Sequence, residues 1–393
     1  MAWALLEVIE THGKDIPDVV ITLNCRDKPT YWYPDGPQPQ GSYERATTAV
    51  PRDGKPALAF SYTTGHTFSD VPVPDATFWG LPYARIRPWE QWLASTAAVG
   101  SPSRWESKRD EMLWVGTTGV GNGKLGFSSH PLRARFAKCG PATFGGRLRF
   151  HGVAKEAIDR IAWKCKPGEC DDWQPEGWLS LEEQCRYRII LHLPGVSDWL
   201  EHFKHQLSCG ALNIYLTEVK SPERRDPRRE AEVKPPLTAP LFEHFDWWAP
   251  LLQPNVHYVH VPVRLQRGRR DGGEVCEALQ AALAELEATP GRARCIAERG
   301  QQLARSLTMG RVREYFASIL KGAAAVQRPD LAAKVLAAHA HPSAVTKRNL
   351  LKHVAPDTHR PWMEHIFYPM HGVNVTRDMI EPAPASKAFT FHR

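Results

Sequence analysis

The residues with the most evident chemical potential lie between Met112 and Lys155. Gly121-Asn122-Gly123-Lys124-Leu125-Gly126 spells a G-x-G-x-x-G turn after a short apolar run, Met112 to Val115. Around it stand Lys124, Arg133, Arg135, Lys138, Arg147, Arg149 and Lys155, with no Asp or Glu in the stretch. Bases beside a strand, a glycine turn and a helix opening at Pro131 are the ingredients of an anion pocket, because helix N-terminal amides and guanidinium groups both favour negative charge. A solvated basic face is the competing reading. The glycine turn fits neither familiar nucleotide motif. A dinucleotide site wants an acid about 20 residues on for the ribose hydroxyls, and none occurs before Glu156. A P-loop wants Gly where Thr118 stands and Ser or Thr where Leu125 stands.

Metal chemistry finds little support. The sequence has no D-x-D, no H-E-x-x-H and no C-x-x-C, and the six His from His339 to His371 lack ligand spacing. No metal and no cofactor are therefore expected. Lys+Arg of 50 against Asp+Glu of 43 leaves +7, which suits an anionic ligand without demanding nucleic acid. The 14 Trp could line a cleft for planar or sugar rings, or simply fill cores. No apolar run approaches the ~20 residues that span a bilayer. The opening MAWALLEVIETH carries Glu7 and Glu10 and no basic flank, so it reads as an amphipathic helix rather than a signal peptide. The first domain is expected to be truncated at its start.

The elements that would hold such a pocket alternate between strand and helix, the signature of an α/β fold. Val19 to Leu23 reads as a strand ending in a polar turn, and residues 30–56 as an irregular connection rich in Pro, Gly and Tyr. Leu58 to Tyr62 is a second strand, and a helix follows Pro88 with Trp89, Trp92 and Leu93 at helical spacing. A new unit begins near residue 110. Tyr187 to Leu193 is a strand, Pro194-Gly195-Val196 a turn, and Ser197 or Asp198 a helix N-cap. Trp199, Leu200, Phe203 and Leu207 mark that helix, Cys209-Gly210 stops it, and Ala211 to Leu216 returns as a strand. About seven strand residues rise ~23 Å and about 12 helical residues ~18 Å, so Cys209 returns beside Cys185. A disulfide there and a pair of buried free thiols both fit. His257 to Val263 is a further strand. Two helices follow, the first with Val275, Leu279 and Leu286, the second running from Ile296 through Leu307 to Ile319.

Taken in order, these residues resemble a known family. PDVVITLNCRDKP (17–29) resembles the P-D-x-E-hydrophobic-N-x-R-D-x-P segment of the Rumi-type protein O-glucosyltransferases, glycosyltransferase family 90, which includes capsule-associated xylosyltransferases. Asp70-Val71-x-x-Pro74-x-x-Thr77-Phe78-Trp79 is similar to its D-I-x-x-P-x-W-T-F-W. Trp114-Val115-Gly116-Thr117 with Arg133 and Lys138-Cys139 resembles its basic G-S/N loop and R-x-x-L-x-x-C helix. Cys185-Arg186-Tyr187 through Gly195, Phe203-Lys204 and Cys209-Gly210 is similar to C-K-Y-K-Y-L…G…F-K-H-L-x-x-C-G. Pro254 to Val263 and Ile296 to Gly300 complete the series over residues 17–320.

The resemblance implies a GT-B fold, two Rossmann-like lobes facing a central cleft. Residues 1–109 would form the acceptor-side lobe, 110–325 the UDP-sugar lobe, and 326–393 a helical or irregular tail. It implies an inverting, metal-independent transfer of glucose or xylose from a UDP-sugar to a protein or glycan hydroxyl. Asp27 takes the place of the family's general base. Thr117, Arg133, Gly195, Val196, Ser197, Asp198 and His202 fall on the donor side, and Trp79 and Tyr83 on the acceptor side. The family's cysteine pair falls on Cys185 and Cys209. Val115 stands where the family has Arg or Lys, His202 lies in the stretch where animal members carry an Arg, and Ala76 replaces a Trp. A catalytically inactive relative that binds glycans or proteins is the alternative. Residence in the lumen of the endoplasmic reticulum or Golgi is implied by the resemblance alone, since neither a signal peptide nor a retention signal is visible.

Overall fold

A computed structural model describes residues 2–17, 19, 21–24, 31–32, 48–49, 59–65, 68, 70–80, 86–97, 105–106, 108–116, 131–151, 179–194, 202–219, 244–265 and 272–327. Within these the chain divides into two units. The first takes the described residues up to Trp92 together with Leu307 onward, and the second takes Leu93–Ser306.

The first unit begins with α1 (Ala2–His12) and has short strands β1 (Thr22–Asn24), β2 (Tyr31–Trp32), β3 (Thr48–Ala49), β4 (Ala59–Ser61), β5 (Thr64–Gly65) and β6 (Val71–Pro72). β1, β4 and β6 form a parallel sheet in the order β1-β4-β6. A second parallel pair, β2 with β3, lies in the segment expected to be irregular. Two-residue strands leave no alternation to detect, which is why composition hid them. After a 3-10 turn at Ala76–Phe78, whose Asp75 cap accepts from the Thr77 amide, helix α2 (Trp89–Ala97) follows Pro88 as expected.

The second unit is a five-stranded parallel sheet of β7 (Arg109–Val115), β8 (Leu148–His151), β9 (Tyr187–His192), β10 (Leu212–Glu218) and β12 (Val259–Val263); the two-residue β11 (His244–Phe245) precedes the last. Its spatial order is β12-β10-β9-β7-β8, with every neighbouring pair parallel. Parallel sheets are covered on both faces, so their strands read as continuous apolar runs; Met112-Leu113-Trp114 and Ile189-Ile190-Leu191 are fully buried runs of that kind. The covering helices are α3 (Pro131–Phe136), α4 (Leu181–Gln184), α5 (Phe203–Ser208), α6 (Gly273–Ala288) and α7 (Arg292–Ser306). α4 went unnoticed, although Ser180-x-x-Glu183 forms a capping box, with Ser180 Oγ accepting from the Glu183 amide and Glu183 accepting from the Ser180 amide.

The expected long helix from Ile296 to Ile319 is two helices. α7 stops at Ser306, and α8 (Met309–Val326) restarts behind Thr308, whose hydroxyl accepts from the Arg311 amide. The break is where the chain changes unit. α8 packs against α1, where the Arg313 guanidinium pairs with Glu7, and against β6, where the Tyr315 hydroxyl donates to the Pro72 carbonyl. The lobe boundaries expected at 109/110 and 325 therefore differ from the unit boundaries. Leu93–Lys108 joins the second unit and α8 the first.

Candidate functional site

By order of appearance, the strands of the second sheet lie second, first, third, fourth, fifth. In such doubly wound sheets ligands bind outside the carboxyl ends of the strands where the order reverses. Here that point lies between the ends of β7 and β9. β7 ends in Val115-Gly116, and β9 in His192 followed by Leu193-Pro194. Gly116 lies over the Trp114 indole, and a Cβ there would sit 3.0 Å from the ring. Glycine thus keeps this strand end close to its own aromatic floor.

Arg133 belongs to this place. Leu132 and Phe136 are fully buried, and Phe136 meets Trp114 edge-on at 5.6 Å and stacks on Phe150 at 5.2 Å. Phe136 docks α3 on β7 and β8. Arg133, three residues earlier, shares that helix face and lies one turn nearer the carboxyl ends of the strands. Its guanidinium donates to the Leu193 carbonyl at 3.0 Å. One hydrogen bond thus spans the reversal point, from the helix after β7 to the end of β9.

The other bases of the acid-free stretch do something else. Arg135 pairs with Glu274, Arg147 with Asp110 and Glu287, and Arg149 with Glu111. The acids come from outside the stretch, so its single sign in sequence does not persist in space. Arg133 is the base of the stretch whose hydrogen bond to Leu193 ties it to the strand ends. Lys138 is exposed.

His192 ends β9 against α5. Its Nε2–H donates to Asn213 Oδ1 at 2.7 Å, while Asn213 Nδ2 donates to the Ala211 carbonyl at 2.9 Å, which fixes the amide orientation. The Phe203 ring meets the imidazole edge-on at 4.5 Å. Burial lowers the His192 pKa to about 4, and the neighbouring His202 adds to that direction, against the pull of the Asn213 hydrogen bond. The imidazole is neutral at pH 7. His202, expected on the donor side, precedes α5 and makes no side-chain cap. Sequence reasoning missed His192 and Asn213, because a polar residue at a strand end carries no signal of its partner.

Cys185 and Cys209 form a disulfide, with Cα atoms 5.1 Å apart. A second disulfide, unforeseen, joins Cys139 to Cys276 across 137 residues. Cys295 is a free, exposed thiol. Asp27, Thr117, Gly195, Val196, Ser197, Asp198, Tyr83 and the Gly121–Gly126 turn lie outside the described residues.

In the first unit, Asn24 ends β1 and donates through Nδ2 to Ser61 Oγ at 3.0 Å; the Ser61 hydroxyl donates to Asp70. All three are buried. This relay fixes the strand end from which the 25–29 segment departs. Trp79, expected beside the acceptor, is 6% exposed. Its indole N–H donates to Glu7, which also receives Arg313. It is a core residue tying α1 to the 76–79 turn. Trp89, Trp92, Trp114 and Trp248 are buried likewise, so these tryptophans serve packing.

Comparison with known proteins follows the same lines. The chain is 24% identical over 316 residues to an O-glucosyltransferase rumi homolog of Anopheles gambiae, covering 78% of this chain and 61% of that protein. It thus spans about three fifths of the length of that curated relative. Among solved structures, the pneumococcal O-GlcNAc transferase GtfA in complex with UDP and GlcNAc aligns at TM-score 0.33 and 10% identity, over 56% of this chain and 37% of that one. WaaG, a glycosyltransferase involved in lipopolysaccharide biosynthesis, aligns at TM-score 0.36 and 11% identity, over 81% and 82%. The family description "Glycosyl transferase family 90" matches residues 1–219, more than half of the chain and continuous from α1 to the end of β10. The chain belongs to glycosyl transferase family 90.

Proposed function

We propose that this protein is an inverting, metal-independent glycosyltransferase that moves glucose or xylose from a UDP-sugar to a hydroxyl of a protein or glycan. The observation that carries the reading is Arg133, held by the Leu193 carbonyl at the reversal point of the parallel sheet. A guanidinium so placed can donate to the diphosphate oxygens that gain negative charge as UDP leaves. Thr117, Gly195, Val196, Ser197, Asp198 and His202 lie in or beside the segments that follow β7 and β9 and would complete the donor side.

The chemistry needs one more group. An acceptor hydroxyl is a poor nucleophile until a carboxylate takes its proton. In this reading Asp27, three residues past the Asn24 relay, is that base. The hydroxyl oxygen attacks the anomeric carbon, its proton passes to Asp27, and the bond to UDP breaks on the opposite face. Tyr83 belongs to the acceptor side. The protein works in the secretory pathway lumen; the two disulfides among the described residues suit an oxidising compartment, and among those residues no helix is long and apolar enough to cross a membrane.

The test is UDP release measured with a panel of UDP-sugars, for the wild type and Asp27→Asn. The reading expects release with UDP-glucose or UDP-xylose and loss of at least about a hundredfold in the variant, within the range of general-base catalysis. Unchanged release by Asp27→Asn removes the mechanism. UDP at a hundredfold over its Kd should also stabilise the fold by about 2.7 kcal/mol. Protection by UDP with no turnover on any donor would favour the binding-module alternative.

A further inference from the structure

Three contacts fasten α3 to the start of α6. Cys139, three residues past the end of α3, is disulfide-bonded to Cys276 in the first turn of α6, with Cα atoms 5.7 Å apart. Arg135 on α3 forms an ion pair with Glu274, whose side chain is 6% exposed. Gly272, the residue before α6, has φ +77°, and a Cβ there would lie 2.2 Å from the Arg135 carbonyl oxygen. The two backbones touch at this point, and only glycine lets them.

α3 has six helical residues, too few to be stable alone, since isolated helices shorter than about 12 residues are marginal in water. Its place is therefore set by its contacts. Leu132 and Phe136 hold it to the sheet, and the α6 junction holds the end past Arg135. Arg133 lies between these anchors. A guanidinium must reach its acceptor at about 2.7–2.9 Å for a charge-assisted hydrogen bond, and a displacement of about 1 Å at a positioned group can cost a hundredfold.

We propose that the Cys139–Cys276 disulfide, together with the Arg135–Glu274 pair and Gly272, is a positioning clamp for Arg133, so that the intact disulfide sets the affinity for a nucleoside diphosphate. The inference rests on the donor-side reading of the reversal point. Opening the clamp chemically takes two electrons and two protons from a dithiol and yields two cysteine thiols. Replacing both cysteines by serine removes the crosslink and leaves Cys185–Cys209 in place.

The experiment is calorimetric titration of the full chain with UDP in the wild type, Cys139→Ser/Cys276→Ser, Arg133→Ala and the triple variant. The clamp predicts about tenfold weaker UDP binding in the double serine variant and no further weakening when its substitutions are added to Arg133→Ala. Such non-additivity is the mark of two changes acting through one group. Wild-type affinity in the double variant overturns the proposal, as does a tenfold loss that persists in the Arg133→Ala background. Should the double variant fail to fold, Glu274→Gln keeps the disulfide and is expected to weaken UDP about threefold, again only when Arg133 is present. Unchanged affinity there overturns the clamp. Wild-type affinity in Arg133→Ala is a different failure: it removes the donor-side reading itself, and the clamp's role with it.

Discussion

Arg133 and His192 flank the same strand end and respond to opposite demands. Arg133 is charged at every accessible pH and anchored to a backbone oxygen. A hydrogen bond to a charged partner contributes about 1.5–3 kcal/mol, so Arg133→Ala should weaken UDP about ten- to a hundredfold. Arg133→Lys should recover only part of this, because an ammonium cannot hold the Leu193 carbonyl and a phosphate as a planar fork does. Titration of both variants with UDP checks the order. His192 is neutral for the opposite reason, since burial opposes its charge. An unfolded histidine titrates near 6.5 and the folded one near 4, so between these pH values the unfolded chain binds more protons. Stability is fully present above pH 6.5 and falls as pH drops towards 4, by at most about 3 kcal/mol from this group. His192→Gln, which can still donate to Asn213, should show a shallower decline in denaturant midpoint over that window; parallel profiles would refute the assignment. Of the two residues, only Arg133 was legible in the sequence. A motif marks a residue by its neighbours in the chain, whereas the carbonyl of Leu193 and the amide of Asn213 lie 60 and 21 residues away from their partners.

At the scale of elements, legibility followed length. The apolar runs inside β7, β9 and β10 stood out because a strand buried on both faces needs no polar residue, and β12, at the sheet edge, stood out by the alternation of Val259, Val261 and Val263. The two-residue strands and the four-residue α4 did not, there being too few residues to show a period. The helix break at Leu307 was hidden for another reason: Leu303 and Leu307 keep an i, i+4 apolar spacing right up to it, and Thr308 supplies the cap that separates α7 from α8. Gly300, inside α7, shows what a local rule misses. A glycine in a helix interior costs about 1 kcal/mol relative to alanine, so propensity alone predicts that Gly300→Ala stabilises. A Cβ at Gly300 would lie 2.4 Å from the His257 carbonyl oxygen and 2.8 Å from a Leu207 methyl. Backbone at that distance must move, and overpacking costs about 1–3 kcal/mol. Gly300→Ala should therefore lower stability by about 1 kcal/mol or more in chemical denaturation. A gain would mean that α7 does not approach the 254–258 loop so closely.

For the whole molecule, alternating strands and helices announced an α/β chain, but the strand order could not be read. Whether β8 lies outside β7 or inside it depends on the direction in which the chain crosses, and no residue records that direction. The two disulfides are a similar case. The Cys185–Cys209 pair was legible because strand and helix lengths brought its ends together over 24 residues, while Cys139 and Cys276 meet only once all five strands are in place. Both crosslinks lie in the second unit. In the loop-entropy picture a closed loop of 24 residues contributes about 3 kcal/mol and one of 137 about 5 kcal/mol. The first loop is nested in the second, so the two are not additive. Most of this acts on the unfolded ensemble of one unit. Reduction with dithiothreitol should therefore raise amide exchange in β9 and β10 while leaving the β4 amides and the junction of α8 with α1 as protected as before. Exchange followed by mass spectrometry, with reduced and oxidised protein compared segment by segment, decides it. Loss of protection at equal magnitude in β4 and β10 would show that the two units unfold as one and that the crosslinks stabilise the chain as a whole.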